Sequence, residues 1–168
     1  GIHYFSQNND NIYGTGTTPF IPNYNSNRVS IYFVEGYEIN NNLFELGFRF
    51  DKENYNVRGR ETNQDIFRDE NNFSNITFSL GLEKEVSNNF SFRSNLGSAW
   101  RTPNMAELYS FGSHGFKTSF GLLRYYFADD GRVKTDRVLK MDSEAFLSEK
   151  SLKLVNELNF SSAKSKLK

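Results

Sequence analysis

The chain has 168 residues, 20 basic and 20 acidic side chains, a formal net charge of zero and no cysteine. That balance gives no long-range field to draw in nucleic acid or an acidic surface, and the missing thiols exclude disulfides, thiolate metal sites and cysteine nucleophiles. Apolar residues are 37% of the chain but aromatics reach 16%, with 17 Phe and 9 Tyr among many Asn, a mixture that favours strands joined by polar turns. No run approaches the roughly 18 consecutive apolar residues of a membrane-spanning helix, and GIHYFSQ lacks the basic and apolar regions of a signal peptide. A membrane would be met through strands. Residues 1–7 read as the middle of one, so the chain is expected to start inside a longer protein.

In chain order, Arg28 to Ile39 separates Val29, Ile31, Phe33, Tyr37 and Ile39, interrupted by Glu35, from Arg28, Ser30, Tyr32, Gly36 and Glu38. This period of two marks a strand with unlike faces. Leu43 to Lys52 repeats it, with Phe44, Leu46, Phe48 and Phe50 opposite Glu45, Gly47, Arg49 and Asp51. Phe73 to Val86 sets Ile76, Phe78, Leu80, Leu82 and Val86 against Asn, Thr, Ser, Gly and Glu, and Phe90 to Trp100 sets Phe90, Phe92, Leu96 and Trp100 against Arg93, Asn95 and Gly97. Near the end, Leu152, Leu154, Leu158 and Phe160 oppose Lys153, Glu157 and Asn159.

Asn40-Asn41-Asn42 and Ser87-Asn88-Asn89 read as tight turns, whereas 8–27, 52–72 and 101–150 read as long connections. Alternating short and long connections put tight turns at one rim of an up-and-down sheet and long loops at the other, the layout of outer-membrane barrels. Strands of ten residues or more are also about long enough to cross a bilayer at a tilt. On this reading the apolar parity faces lipid, the polar parity faces a wet lumen, and Tyr37, Phe50, Phe90 and Trp100 sit at the interfaces. About six strands are visible, or seven if Thr118 to Ala128 adds one, whereas closure takes eight or more and open edges are prohibitive in hydrocarbon. The expected fold is all-β, an antiparallel up-and-down transmembrane β-barrel present as a partial barrel with long external loops. A soluble sheet packed on a helix would alternate in the same way, but no strong amphipathic helix is visible to cover it.

The segment SAWRTPNMAELYSFGSHGF carries the most specific cluster. Trp100-Arg101-Thr102-Pro103-Asn104, then Glu107-Leu108-Tyr109, and later Ser148-Glu149-Lys150-Ser151 resemble TonB-dependent outer-membrane receptors, in which an ascending strand ends in aromatic-Arg-x-Pro-Asn/Thr and the descending strand starts with a Pro-Glu-Lys-Ser-like element. FELGFRFD is similar to the Gly-x-Arg-aromatic-Asp strand end of that family. Two departures stand out: Ser148 replaces the usual Pro, and GLLRYYFADDGRVKTDRVLKMDSEAF replaces a short Gly-Asn-Pro link, as in Bacteroidetes-type receptors.

The resemblance implies a segment of a Gram-negative outer-membrane transporter, with no enzymatic chemistry and no cofactor. Its partners would be outer-membrane lipid, a plug domain, the TonB energy-coupling protein acting through that plug, and a scarce nutrient such as an iron chelate, cobalamin or glycan. Residues 1–168 would all be barrel, with the plug outside them. A small outer-membrane adhesion barrel and a soluble β-sheet domain with a ligand site or carbohydrate-active chemistry are the rival readings.

Pro103 fixes its own φ and holds Thr102 extended, so it ends the ladder where the strand leaves the sheet. Arg101, on the polar parity, is placed to grip Glu107 or Glu149 and hold the loop base. Trp100, Arg101, Pro103, Asn104, Glu107, Leu108, Tyr109 and Glu149 are therefore expected to be loop-base or plug-facing residues. Phe111, His114, Phe116, Tyr125 and Tyr126, with Phe120, either contact substrate or pack the loop on itself.

Weaker signals have plainer readings. Gly14-Thr15-Gly16 starts like a phosphate-binding loop, but Pro19 stands where the third glycine belongs and no helix follows. His3 and His114 lack ligand spacing. Glu83 and Glu85 read as wet-face charge rather than a glycosidase pair, and Asp69-Glu70 and Asp129-Asp130-Gly131 lack the spacing of a calcium loop.

Overall fold

The computed structural model describes residues 1–11, 19–61, 65–135, 138 and 148–160. Gly14-Thr15-Gly16, most of 136–147 and the Lys-rich end lie outside the described residues. The elements in order are β1 (Ile2–Asn9), β2 (Asn23–Ile39), β3 (Asn42–Arg60), β4 (Ile66–Ser87), β5 (Phe90–Arg101), α1 (Met105–Tyr109), β6 (Phe111–His114), β7 (Lys117–Phe120), β8 (Tyr126–Phe127), β9 (Val133–Lys134) and β10 (Glu149–Phe160). Six strands form one antiparallel sheet in the order β1-β2-β3-β4-β5-β10.

The fold is that of a partial up-and-down β-barrel, with neighbours in sequence lying side by side. The tight turns are real. Asn40 and Asn41 take φ of 48° and 60°, the left-handed pair that a two-residue hairpin turn demands and that Asn tolerates best after Gly. The Asn42 amide donates to the Ile39 carbonyl at 3.0 Å and closes that turn.

Cross-strand register lines the apolar residues into rows on one face. Ile31, Phe50 and Ile76 are direct neighbours, as are Phe33, Phe48 and Phe78, and as are Leu46, Leu80, Leu96 and Leu154. All but the half-buried Leu96 are exposed, with Ile31 at 56% and Leu154 at 60%. A water-soluble sheet would have to cover such a surface, whereas hydrocarbon solvates it. Ser94 and Asn156 share this face and bond each other at 2.8 Å, the mutual satisfaction a polar pair in lipid requires. Glu35 stands opposite Leu46 as the charged interruption of the pattern.

The strands are longer than expected. β3 and β4 have 19 and 22 residues, about twice what a bilayer crossing needs, and remain paired from Asn42↔Lys84 to Arg60↔Ile66. The long connection expected over 52–72 is thus mostly a hairpin rising beyond the lipid rows. Its inner face turns from polar to mixed: Asp51, Glu53, Tyr55 and Val57 of β3 and Asn71 and Phe73 of β4 are buried. Thr118 to Ala128 adds no seventh strand to the sheet. Those residues contribute to two small hairpins, β6-β7 and β8-β9.

What buries the upper inner face is the connection after β5. Met105, Leu108 and Tyr109 of α1, with Leu123, pack on Tyr55, Val57 and Phe73 to form the hydrophobic core. The element packed there, α1, has five residues, too few to show a helical period in sequence. It covers only the external end of the inner face.

Candidate functional site

The site grows from the top of β5. The β4-β5 ladder runs only to Ser79↔Gly97, while β5 and β10 stay paired to Arg101↔Glu149. Above Gly97 the Ser98 hydroxyl accepts from the Phe78 N–H at 2.9 Å, replacing a ladder bond with a side-chain bond. The end of β5 can therefore lean across β4 towards β3.

Two carboxylates on β3 receive it. Asp51 accepts the Trp100 indole N–H at 3.1 Å, the Ser30 hydroxyl at 2.6 Å and the Arg49 Nε at 2.9 Å. Glu53 accepts from Thr102 at 3.0 Å, Arg28 at 2.7 Å, Tyr55 at 2.9 Å and Ser26 at 3.2 Å. Each carboxylate is 2% exposed, and such burial is tolerable because charged and neutral donors occupy the lone pairs. Burial, with the neighbouring Glu53 charge, pushes the Tyr55 hydroxyl up to about 12, so it remains a donor.

This geometry corrects the placement of Trp100. Sequence parity puts it on the lipid side, but its indole reaches the inner-face Asp51 and its ring packs on the core. Thr102 also reaches inward, to Glu53, so by strand alternation Arg101 between them is directed away from the β3 carboxylates. Arg101 forks onto Glu149 at 2.8 and 3.1 Å and reaches Glu107 at 2.8 Å. The two carboxylates raise the guanidinium pKa further, and Arg101 together with the Asn104 N–H holds the Glu107 carboxyl below its ordinary value.

Pro103 follows, and Asn104 caps α1. Its side chain accepts the Glu107 N–H at 2.9 Å, while Glu107 accepts the Asn104 N–H at 2.8 Å, a reciprocal capping box. The returning chain satisfies carbonyls of the helix and its end: Gly121 donates to Ser110 at 2.7 Å, Leu122 to Glu107 at 2.8 Å and Leu123 to Leu108 at 2.9 Å. Leu108 is completely buried. The Tyr109 hydroxyl donates to Asp69 and accepts from Asn71, both at 2.6 Å, and burial beside Asp69 pushes its pKa up.

Arg124 closes the upper edge. Its guanidinium lies 4.5 Å from the Phe111 ring centre and 5.5 Å from that of Phe67, with Glu61 at 3.8 Å and the Arg60 carbonyl at 3.3 Å. Burial pulls its pKa down, and the two rings supply attraction that water would otherwise provide.

The aromatic loop residues divide. Phe111 and Phe120 pack edge to face at 5.5 Å, whereas Phe116 is fully exposed at the tip of the β6-β7 hairpin. His114 ends β6 opposite Lys117. Tyr126 pairs with Lys134, and Tyr125 packs on Phe127 at 6.2 Å. Tyr125 also lines a cleft of ≈ 400 Å³ with Arg101, Pro103, Glu107, Phe120, Leu122 and Glu149. An apolar floor beside an Arg and two Glu side chains can hold a mixed apolar and polar group.

Sequence reasoning missed Glu53, Tyr55, Asp69, Asn71 and Arg124 as parts of this site. The available signal was the continued alternation Asp51, Glu53, Tyr55, Val57 beyond the lipid-facing stretch. Elsewhere, Glu83 pairs with Arg93 at 2.7 Å and Asp130 with Arg132 at 3.6 Å.

A family model described as TonB dependent receptor-like, beta-barrel matches residues 1–134. No curated protein and no solved structure matches the chain.

Proposed function

The chain belongs to the TonB-dependent receptor-like β-barrel family, a family of transporters and receptors rather than enzymes, and from that premise we propose that it forms wall and mouth of an energy-coupled outer-membrane importer. Residues 1–168 are barrel in this proposal. A plug domain occupies the lumen, TonB pulls on the plug, and the cargo is a scarce nutrient such as an iron chelate, cobalamin or glycan. The outer membrane of a Gram-negative cell is the location.

The observation that carries the proposal is the inward fold of the connection after β5, anchored by Trp100 and Thr102 on Asp51 and Glu53 above the lipid-facing rows. An importer needs a mouth that is narrowed and held in shape while cargo waits above the plug, and preorganised loops bind at lower entropic cost. In this scheme Trp100, Arg101, Pro103, Asn104, Glu107, Leu108, Tyr109 and Glu149 hold the loop base. Phe116 is fully exposed and Tyr125 lines the cleft beside Arg101; these two, with Phe111, His114 and Tyr126 of the same loop, are the cargo-contact residues of the proposal.

The test is nutrient-limited growth of cells carrying the full-length protein, scored for uptake of iron chelates, cobalamin and oligosaccharides before and after a protonophore. Uptake that stops when the proton gradient collapses, with surface binding kept, is the expected result. Uptake indifferent to the gradient would overturn energy coupling.

A further inference from the structure

Above the last apolar row the outer face of β1 to β4 changes character within one strand repeat. Ile2, Ile31, Phe50 and Ile76 form the uppermost apolar row, and Tyr4, Val29, Lys52 and Ser74 form the next. Then come Ser6, Asn27, Asn54 and Asn72, and above them Asn8, Asn25, Asn56 and Glu70, again as direct cross-strand neighbours. Residues directly opposite share a face, so six of these eight positions present carboxamides on one surface.

We infer that this carboxamide grid binds the sugar headgroups of glycolipids in the leaflet around the barrel. The inference rests on the family reading that the rows below it face hydrocarbon. Two residues along a strand tilted by about 40° rise roughly 5 Å, so the first amide row stands at the depth of the headgroups and the second just beyond. The surface is continuous with the lipid face, which puts a headgroup beside it whenever an acyl chain packs below.

The chemistry of the rows selects sugar over phosphate. A carboxamide donates and accepts at once, as a sugar hydroxyl does, and each can make about four hydrogen bonds. Bonds within the grid, such as Asn27 to Asn25 at 2.6 Å, Tyr4 to Asn27 at 2.8 Å and Asn54 to Asn72, orient the amides and leave capacity over. Neither amide row itself contains a cation and Glu70 ends the second, while Lys52 in the row below and Arg58 and Arg68 in the row above flank the grid, so an anionic group is held at its margins and the neutral amides between them suit hydroxyls.

The experiment places the full-length protein in vesicles of phosphatidylcholine, of phosphatidylcholine with digalactosyldiacylglycerol, and of phosphatidylcholine with phosphatidylglycerol, and follows thermal unfolding. The uncharged galactolipid is expected to raise the melting temperature by about 3 °C, and the Asn27→Ala, Asn54→Ala, Asn72→Ala variant to lose the rise. The double variant Asn25→Ala, Asn56→Ala, which leaves the Asn54–Asn72 bond intact, is expected to lose part of it. A rise with phosphatidylglycerol alone would assign the surface to charge, and no rise with either lipid would remove sugar binding while leaving the barrel reading in place. Self-association through the grid, seen as a cross-linked dimer that the triple variant abolishes, would also overturn the proposal. Failure to insert into any vesicle would overturn the membrane reading itself.

Discussion

Trp100 at the end of β5 donates its indole N–H to Asp51 on β3 across the strand that separates the two in the sheet, at 3.1 Å. The contact exists only because β5 leaves β4 after Gly97, and with Thr102 on Glu53 it sets where the following loop lands. Replacing Trp100 by Phe keeps the ring and removes the donor, at an expected cost of about 1 kcal/mol. Asp51→Ala strands the indole, Ser30 and Arg49 together and is expected to cost about 3 kcal/mol. Thermal unfolding of the full-length protein in detergent separates the two, and equal effects would mean that the carboxylate does little beyond accepting the indole.

Arg101 bridges Glu107 on α1 and Glu149 at the start of β10. Arg101→Ala should loosen the loop base and lower transport more than it lowers cargo binding. Arg101→Lys should recover little, because an ammonium cannot fork onto Glu149 while reaching Glu107. Uptake rate and surface binding in the same cells check this, and a parallel fall in both would instead give Arg101 a direct contact with cargo.

The capping box makes α1 sensitive to acid. The carboxyl of Glu107 is held below its ordinary value by Arg101 and the Asn104 N–H, so its contribution is complete above the usual carboxylate range. It declines as pH falls below that range towards the depressed folded value, where protonation removes the acceptor. Protease sensitivity of the loop should rise on acidification, and Glu107→Gln should flatten that dependence. Asn104→Ala should cost about 1 kcal/mol at neutral pH.

Gly121 sits where the returning chain crosses α1. A Cβ there would lie 2.4 Å from the Leu108 carbonyl carbon and oxygen and 2.5 Å from the Tyr109 nitrogen, all backbone atoms that cannot swing aside. Gly121→Ala should therefore lift the 121–123 segment off the helix and cost about 2 kcal/mol. Faster hydrogen exchange at Leu122 and Leu123, whose N–H groups bond Glu107 and Leu108, is the expected signature.

The lipid rows predict an asymmetry between faces. Phe48→Arg, in the row with Phe33 and Phe78, should cost about 2–4 kcal/mol in a bilayer. The same change at exposed Glu45, on the opposite parity, should cost far less. Urea unfolding from vesicles measures both, and similar costs would mean that the Phe48 face does not meet hydrocarbon.

The strands, the Asn turns and the face that meets lipid were legible in the sequence because they are local: a period of two and a turn needing left-handed backbone are written in consecutive residues. The Arg-Thr-Pro-Asn cluster was legible as a strand end for the same reason, since Pro103 acts on its own neighbours. Strand length was not, because 52–60 and 66–73 keep alternating while their inner parity exchanges charge for Tyr55, Val57 and Phe73. What makes that exchange favourable is α1 arriving from more than thirty residues further along the chain.

An antiparallel wall with one apolar face follows from consecutive residues alone, because alternation and turn chemistry are properties of neighbours. The facing of Trp100, the pairing of Asp51 and Glu53 with the end of β5, and the burial of Arg124 between Phe67 and Phe111 arise in the folded sheet. Those depend on where one strand stops following its neighbour, and a side-chain bond between Ser98 and the Phe78 backbone in place of a ladder bond is enough to redirect everything after it.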